Sequence, residues 1–262
     1  MPVILVTDIL VWLLVAVATG YAFYCARHPH LAIPWARVFR SSAAMASVVL
    51  LSAYISLGLL DSLHFRPALE QKGGEQKAYS SDVLSVLDLA LARLRGRGEK
   101  TYSAPLATRS YAKEQVELPD GRQMRDFPRL RFGGAHLKDE SAWAEDVTKR
   151  ALAVVGVALV LLVLAFLALG PIKRRRPEIP WHAAFGAFAV LLLLAGPATA
   201  LSTGYHVLGT DKVGQDVFYL ALKSIRTSLA IGTLTTLVLL PVGIALGTMA
   251  GYFRGCALAA PT

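Results

Sequence analysis

Residues 151–172 read ALAVVGVALVLLVLAFLALGPI, a run of 22 residues without Asp, Glu, Lys or Arg. A helix needs roughly 20 apolar residues to cross the hydrocarbon core of a bilayer, which is about 30 Å thick. The run is long enough, and it carries no charge that would have to be buried in lipid. It is therefore predicted to form a membrane-spanning helix.

Four further stretches lack charged residues, and they predict spans at 9–26, 41–60, 182–203 and 227–253. The N-terminal stretch has no basic residues before it, so we interpret it as a helix rather than a signal peptide. Charged residues make up 17% of the chain and hydrophobic ones 55%, whereas soluble domains carry about 25% charge. The pattern predicts an all-α polytopic membrane protein with five transmembrane helices.

The distribution of Lys and Arg predicts the orientation of these helices. The loop at 27–40 carries three Arg and no acid, and the third span ends in the basic run 173–176. Because cytoplasmic loops are enriched in Lys and Arg, both segments are predicted to lie in the cytoplasm, with the N-terminus outside and the C-terminus inside. Lys149 and Arg150 argue mildly against this orientation, because they would lie on the outer side.

The 62–150 segment is long and polar enough to fold as a small mixed α/β extracytoplasmic domain between the second and third helices. Its residues 62–148 include 14 basic and 13 acidic side chains, so the segment is nearly neutral. Ser81 is predicted to cap a helix that Gly96 ends. The turn at 119–121 favours a hairpin, and Gly133-Gly134 marks another turn. The same boundaries divide the chain into 1–61 with two helices, 62–150, and 151–205 with two more.

No catalytic residue, metal site or cofactor is predicted from the sequence. His28 and His30 have no carboxylate nearby, and His64 and His136 are isolated, so ordinary surface or core roles are favoured over metal binding. The segment 96–101 resembles a phosphate-binding loop only superficially, since an acid at position 99 would repel phosphate. The net charge of +9 is explained by cytoplasmic loops and does not indicate a nucleic-acid partner.

The stretch after the fourth span carries the most distinctive pattern of polar residues and glycines. Gly209 permits a tight turn, and Thr210 or Asp211 is predicted to cap the helix that follows. Acidic residues fall early in this helix and basic residues late, which suits the helix dipole. We expect 206–226 to form an interfacial segment containing a short amphipathic helix at the outer surface of the membrane.

The last segment, 227–262, is predicted to form the fifth membrane helix and a short cytoplasmic tail. Gly243, Gly247 and Gly251 recur at every fourth position within this segment. Small residues at this spacing let the backbones of two membrane helices approach closely, so this face is predicted to pack against another helix. Glycines are also common in membrane helices in general, and this alternative stays open.

The pattern in 206–255 resembles H-P-L-G-T-D-x-x-G-R-D, A-R-x-S-L and G-Y-F-G-G, in that order. These motifs belong to the C-type permease subunits of ATP-binding-cassette importers for dipeptides, oligopeptides or nickel. Four positions depart from the motifs: Val207, Gln215, Ile225 and Arg254. By this resemblance, the matching residues are candidates for the outer entrance of the permease: Leu208, Gly209, Thr210, Asp211, Gly214, Asp216 and Arg226.

The resemblance covers about 50 residues and implies a permease subunit of the inner membrane that is not itself an enzyme. It implies four partners: a second permease subunit, cytoplasmic ATPase subunits, an extracytoplasmic solute-binding protein and the lipid bilayer. The family's E-A-A…G loop, which docks on the ATPase, is not found in the 262 residues. We therefore expect a truncated or split permease. The alternative is a membrane-anchored sensor or scaffold with 62–150 as its binding domain.

Overall fold

The computed structural model describes residues 1–68, 79–117, 123–170, 173 and 177–252. Over these residues, five helices are long and apolar enough to cross a membrane, which confirms the predicted fold class. In chain order, the α-helices are α1 (Val6–Arg27), α2 (Pro29–Phe39), α3 (Ser42–Asp61), α4 (Val86–Ala90), α5 (Ala92–Arg95), α6 (Trp143–Ala168), α7 (Trp181–Leu201) and α8 (Val217–Tyr252).

The contacts between the five long helices follow the order α6, α7, α3, α8 and α1, and we call this set the helix row. An end of the helix row means the end at which the helix termini on one side lie. α3 packs against α7 on one side and α8 on the other, α7 also contacts α6, and α8 also contacts α1. Gly58 allows α3 and α8 to approach closely, because a Cβ at this position would lie 2.5 Å from Leu229 Cδ1. Most side chains of the spans stay exposed within the chain, as expected for helices whose neighbours are lipid or other membrane helices.

The segment 27–40, read from sequence as a loop, is largely the helix α2. Pro29 occupies its first turn, where the missing N–H costs nothing, and the Trp35 ring contacts Tyr21 of α1 and Phe39 one turn on. Of the three Arg residues that had suggested a loop, Arg27 ends α1, Arg40 is the C-cap of α2, and Arg37 lies within α2. α2 is otherwise mainly apolar, so it is a short amphipathic helix. A helix of this kind suits the interface between membrane and water.

α6 begins at Trp143, eight residues before the predicted start at 151. Its charged first turns are stabilised by pairs one turn apart, since Lys149 lies 2.6 Å from Glu145 and Arg150 lies 2.9 Å from Asp146. These two cations, which had counted mildly against the predicted orientation, therefore carry carboxylate partners on their own helix.

The residues between α3 and α6 include short strands, so the mixed α/β character predicted for this segment is observed. β1 (Pro2–Val3), β2 (His64–Phe65) and β3 (Leu84–Ser85) form an antiparallel sheet in that order. β4 (Glu114–Glu117) and β5 (Gln123–Asp126) form the predicted hairpin, whose turn at 118–122 lies outside the described residues. The pairing of β1 with β2 places the N-terminus at the same end of the helix row as this domain.

Two local predictions within the domain had different outcomes. Ser81 does not cap the domain helix: the cap is Ser85, whose hydroxyl accepts from the Asp88 N–H at 3.0 Å while Asp88 accepts in return from the Ser85 N–H. A serine precedes the helix at both positions, and only this one has an acid three residues later to complete the capping box. Gly96 ends α5 as predicted, but the residues between Ser81 and Gly96 form β3 and two short helices rather than one helix. Gly134 lies in a turn with φ +69°.

Candidate functional site: the motif loop and three polar clusters

The segment 206–216, here called the motif loop, connects the end of α7 to the start of α8. It lies at the end of the helix row that carries the domain, which we call the domain face. Gly209 (φ +77°) and Gly214 (φ +78°) adopt the left-handed conformation that glycine allows. A Cβ on either residue would collide with a backbone carbonyl oxygen, that of Ser103 or that of Glu99. The predicted turn at Gly209 is therefore confirmed, and both glycines are required by close contact with the domain.

Thr210 attaches the motif loop to the domain. Its side chain is buried, and its hydroxyl donates to the carbonyl oxygen of Thr101 at 2.8 Å and lies 3.1 Å from the Ser103 hydroxyl. Asp211 shapes the loop itself, because one of its carboxylate oxygens accepts from the N–H groups of Val213 and Gln215, each at 2.9 Å. Leu208, by contrast, is 47% exposed and free of this framework.

α8 begins later than the sequence predicted, and neither Thr210 nor Asp211 caps it. The helix starts at Val217, and the Asp216 carboxylate accepts from the N–H groups of Phe218 and Tyr219 at 2.8 and 3.3 Å. Several residues in this stretch satisfy the capping preferences, so composition alone did not select the right one. The same helix then continues to Tyr252, so a separate amphipathic helix within 206–226 is not observed.

Three polar clusters lie at the domain face, and the first is centred on His206, which is 1% exposed. Its Nδ1 lies 2.7 Å from the Asp216 carboxylate, and its Nε2 lies 3.4 Å from the Glu99 carboxylate. The ring therefore connects the cap of α8 to the domain. We call Glu99, His206 and Asp216 the His206 cluster.

Glu99 is itself held by the domain backbone. Burial alone would raise the pKa of Glu99, but the N–H groups of Phe132, Arg131 and Gly133 donate to its carboxylate and hold the pKa below its usual value of 4.5. The acid that spoils the resemblance to a phosphate-binding loop thus occupies a cradle of backbone donors. The Glu99 carboxylate therefore occupies the position in which these N–H groups would otherwise bind an external anion.

The second cluster, here called the Arg226 cluster, joins α8 to α1 and α3. Arg226 lies 2.9 Å from the Asp8 carboxylate and 3.4 Å from that of Asp61, and both carboxylates are almost fully buried. The guanidinium also donates to His64 Nε2 at 3.0 Å, which leaves His64 Nδ1–H to donate to Asp8 at 2.9 Å. Among the described residues, the Oδ2 atom of Asp61 is buried without a hydrogen-bond partner.

The third cluster, here called the Lys223 cluster, joins α8 to the domain helix α4. Lys223 Nζ lies 2.7 Å from both carboxylate oxygens of Asp88, and the Tyr219 hydroxyl donates to the same carboxylate at 2.6 Å. Burial would raise the pKa of Asp88, but the hydrogen bonds from Lys223, Tyr219 and the Ser85 N–H outweigh it and lower that pKa to about 2. Ser85 donates in turn to Asp61 at 2.8 Å, so the second and third clusters are connected.

A smaller polar group fixes the junction between α6 and α7. The Tyr205 hydroxyl donates to Asp146 at 2.8 Å, and burial together with this bond raises the pKa of Tyr205 to about 12. Tyr205 also belongs to an apolar core with Leu137 and Leu201. The chain segment that enters the motif loop is therefore anchored before His206.

Several of these residues were not identified from sequence. Arg226 and Asp216 stood among the candidates, but Asp8, Asp61 and Asp88 did not, and His64 was read as isolated. A signal was nevertheless present, because Asp8 and Asp61 lie at the edges of apolar runs, where a charge needs a partner. Their partners are 218 and 165 residues away along the chain, so the sequence could not pair them.

The predicted packing face of the last helix is open in this chain. An added Cβ at Gly243, Gly247 or Gly251 would meet no atom of the described chain within 4 Å, apart from the neighbouring helix backbone. The glycines therefore make no helix contact within the described residues. A partner helix on this face remains a proposal.

Part of the sequence is similar to known proteins. The chain is 42% identical over 62 residues to the glutathione transport system permease protein GsiD of Pectobacterium atrosepticum, covering 24% of this chain and 19% of the relative. It is 46% identical over 55 residues to the oligopeptide transport system permease protein OppC of Lactococcus lactis subsp. cremoris (21% and 18%), and 43% identical over 53 residues to its counterpart in subsp. lactis (20% and 18%).

These matches span under a fifth of the length of the curated relatives. No protein-family model and no solved structure matches the chain. Over part of its sequence, this polytopic membrane protein is therefore similar to permease proteins of glutathione and oligopeptide transport systems.

Proposed function

We propose that the chain is a permease subunit, or part of one, of an ATP-binding-cassette importer that moves peptides or similar small solutes across the inner membrane. The observation that carries the proposal is the 42–46% identity to three permease proteins of glutathione and oligopeptide transport systems. Each match is 53–62 residues long, close to the 50 residues of the stretch 206–255 that resembles the C-type permease motifs. The five candidate spans agree with such a role.

In this proposal, the motif loop shapes the outer entrance of the permease. The domain face and the N-terminus lie outside, and the C-terminus lies in the cytoplasm, as the distribution of basic residues predicts. A solute-binding protein delivers the solute at the domain face. ATP is hydrolysed on separate cytoplasmic subunits, and this chain contributes no catalytic residue.

The polar clusters join the motif loop, the start of α8 and the domain to one another. The first turns of α8 are bonded to α1 and α3 through Arg226, to the domain through Lys223 and to the motif loop through Asp216. When helices repack between the outward-open and inward-open states, we expect the motif loop and the start of α8 to move as one body. The domain would follow, because it holds both Asp88 and Glu99.

The proposal is tested by purifying the tagged full chain from its native membranes in a mild detergent. Mass spectrometry of the co-purified proteins should identify a second permease subunit and an ATPase in comparable amounts. The control is an unrelated tagged membrane protein prepared in parallel. Recovery of a signalling kinase or another soluble effector, with no ATPase, would instead support the sensor or scaffold alternative and contradict the proposal.

A further inference from the structure

A large cleft lies at the end of the helix row opposite the domain face. It has a volume of about 940 Å³, at the upper end of the range of small-molecule sites, and it is bounded by α1, α2 and α3 with the 177–179 segment at its edge. Its walls are mainly apolar, and five of the lining residues are alanines. Representative lining residues are Ala18, Ala22, Cys25, Trp35, Ala36 and Phe39.

The alanines explain why the cleft stays open. Ala18 and Ala22 lie one turn apart on α1, and Ala32 and Ala36 lie one turn apart on α2. Side chains at this spacing share a helix face, so two stripes of small side chains border the same space. Larger apolar residues at these positions would have filled it, as they do in the core of a packed bundle.

The mouth of the cleft carries more basic than acidic residues. Arg40 lines the cleft, and Arg37 lies one turn earlier on α2. Among the described residues at this end, 27–41, 173 and 177–180, four are Lys or Arg and one, Glu178, is an acid. Glu178 forms an exposed ion pair with Arg40 at the mouth, so one carboxylate already occupies the position in which an anionic group would be stabilised.

We propose that this cleft binds an anionic phospholipid of the bilayer, with an acyl chain between α1 and α2 and the phosphate at Arg40. The apolar walls match the hydrocarbon, the surplus of cations matches the headgroup, and α2 has the amphipathic character of an interfacial helix. Basic pockets between membrane helices are the surroundings in which anionic headgroups are held. The inference needs only a chain embedded in a membrane, and it does not rest on the proposed transport function.

Glu178 competes with the lipid phosphate for Arg40. Binding of a phosphate at Arg40 replaces the Arg40–Glu178 pair, so the free carboxylate weakens lipid binding. Removing the acid should strengthen binding, and removing the base should weaken it. These opposite expectations separate a specific site from a general loss of structure.

Cys25 provides a reporter for the occupant, because it is buried and lines the cleft. With Cys256→Ser introduced, Cys25 is the only thiol of the sequence. The full chain is placed in nanodiscs of palmitoyl-oleoyl-phosphatidylcholine with increasing fractions of the phosphatidylglycerol that has the same acyl chains. The rate of reaction of Cys25 with N-ethylmaleimide is measured at each composition.

Phosphatidylglycerol is expected to slow the reaction of Cys25, and phosphatidylcholine alone is not. A cation near the membrane surface contributes about fivefold to the binding of an anionic lipid, so Arg40→Gln should raise the half-protecting fraction about fivefold. Glu178→Gln should lower it. Arg95→Gln, which removes an exposed cation paired with Asp82 at the domain face, should leave it unchanged.

Three results would overturn the proposal. The first is equal protection of Cys25 in both lipids, which would mean that any bilayer fills the cleft. The second is no effect of Arg40→Gln or Glu178→Gln on protection by phosphatidylglycerol. The third is unchanged protection in Ala36→Phe, whose ring should narrow the space between α1 and α2 and hinder entry of the acyl chain.

Discussion

Arg226 is the residue whose removal should damage the fold most. Its guanidinium is the charged partner shared by Asp8 and Asp61, which are 2% and 1% exposed. Removing one member of a buried ion pair leaves an uncompensated charge, at a cost of about 3–5 kcal/mol. Arg226→Gln is therefore expected to lower the free energy of unfolding in mixed detergent by this amount.

The matched control is Lys100→Gln. Lys100 also pairs with a carboxylate, that of Glu114, but its side chain is 84% exposed. Exposed pairs contribute about 0–1 kcal/mol, so this variant should unfold almost like the wild type. Equal stabilities for the two variants would contradict the role of the Arg226 cluster.

Asp88 predicts how stability depends on pH. Its pKa is lowered from 3.8 to about 2 in the folded chain. A carboxylate with a lowered folded pKa stabilises the fold above its unfolded pKa, and this contribution is lost as pH falls toward the folded pKa. The melting temperature should therefore be nearly constant from about pH 7 to about pH 5 and fall between about pH 4 and about pH 2.

Glu99 acts in the same direction, because its pKa is also lowered. Melting measured across this range for Asp88→Asn should show a smaller acid-dependent fall than the wild type, from a lower starting value. An identical fall in both proteins would show that Asp88 does not contribute to it.

At the residue scale, the backbone conformation of an individual residue could be predicted from the sequence better than the contacts between distant side chains. The turn at Gly209 could be predicted because glycine adopts a positive φ without steric cost, which is a property of the residue itself. The links of Asp8 to Arg226 and of Asp88 to Lys223 join distant parts of the chain, so their cause is the packing of helices. His206 was noticed only as part of a motif, and its burial between two carboxylates was not foreseen.

At the scale of elements, the spans were predictable and their ends were not. Hydropathy located all five long helices, because length and absence of charge are properties of a continuous segment. The start of α8 was misplaced, since Thr210, Asp211 and Asp216 all suit a helix cap. α2 was missed because its basic residues were counted for orientation, and its apolar face was not considered.

The last helix provides a test at this scale. Gly247→Leu should place a bulky side chain on the face that we propose to contact another helix, while making the span more hydrophobic. We expect the variant to reach the membrane at normal or higher levels and to lose co-purification with the proposed second permease subunit. Membrane amount and co-purification are both measured by immunoblot of a tagged chain.

Val238→Leu is the control for this experiment, because it exchanges one exposed apolar side chain for a similar one on the same helix. It should change neither the amount in the membrane nor the co-purification. If Gly247→Leu co-purifies as well as the wild type, the glycine face is exposed to lipid and the packing proposal is wrong.

For the whole molecule, the structure joins the N-terminus and the domain at one face through the pairing of β1 with β2. The basic residues predict that this face is outside. With Cys25 and Cys256 replaced by Ser, Ser81→Cys should react with a membrane-impermeant thiol reagent in intact cells. Ser41→Cys, which is also at an exposed position but at the opposite end of the helices, should react only after the membrane is opened. The reverse pattern would invert the orientation.

Solute uptake by cells shows whether this chain belongs to a peptide importer, as we propose. Source cells lacking the gene are compared with the same cells carrying it on a plasmid, using radiolabelled glutathione and a panel of labelled short peptides. At least one of these solutes should enter more slowly without the chain and at the normal rate when the chain is restored. Unchanged uptake of every labelled solute in the deletion cells would contradict it.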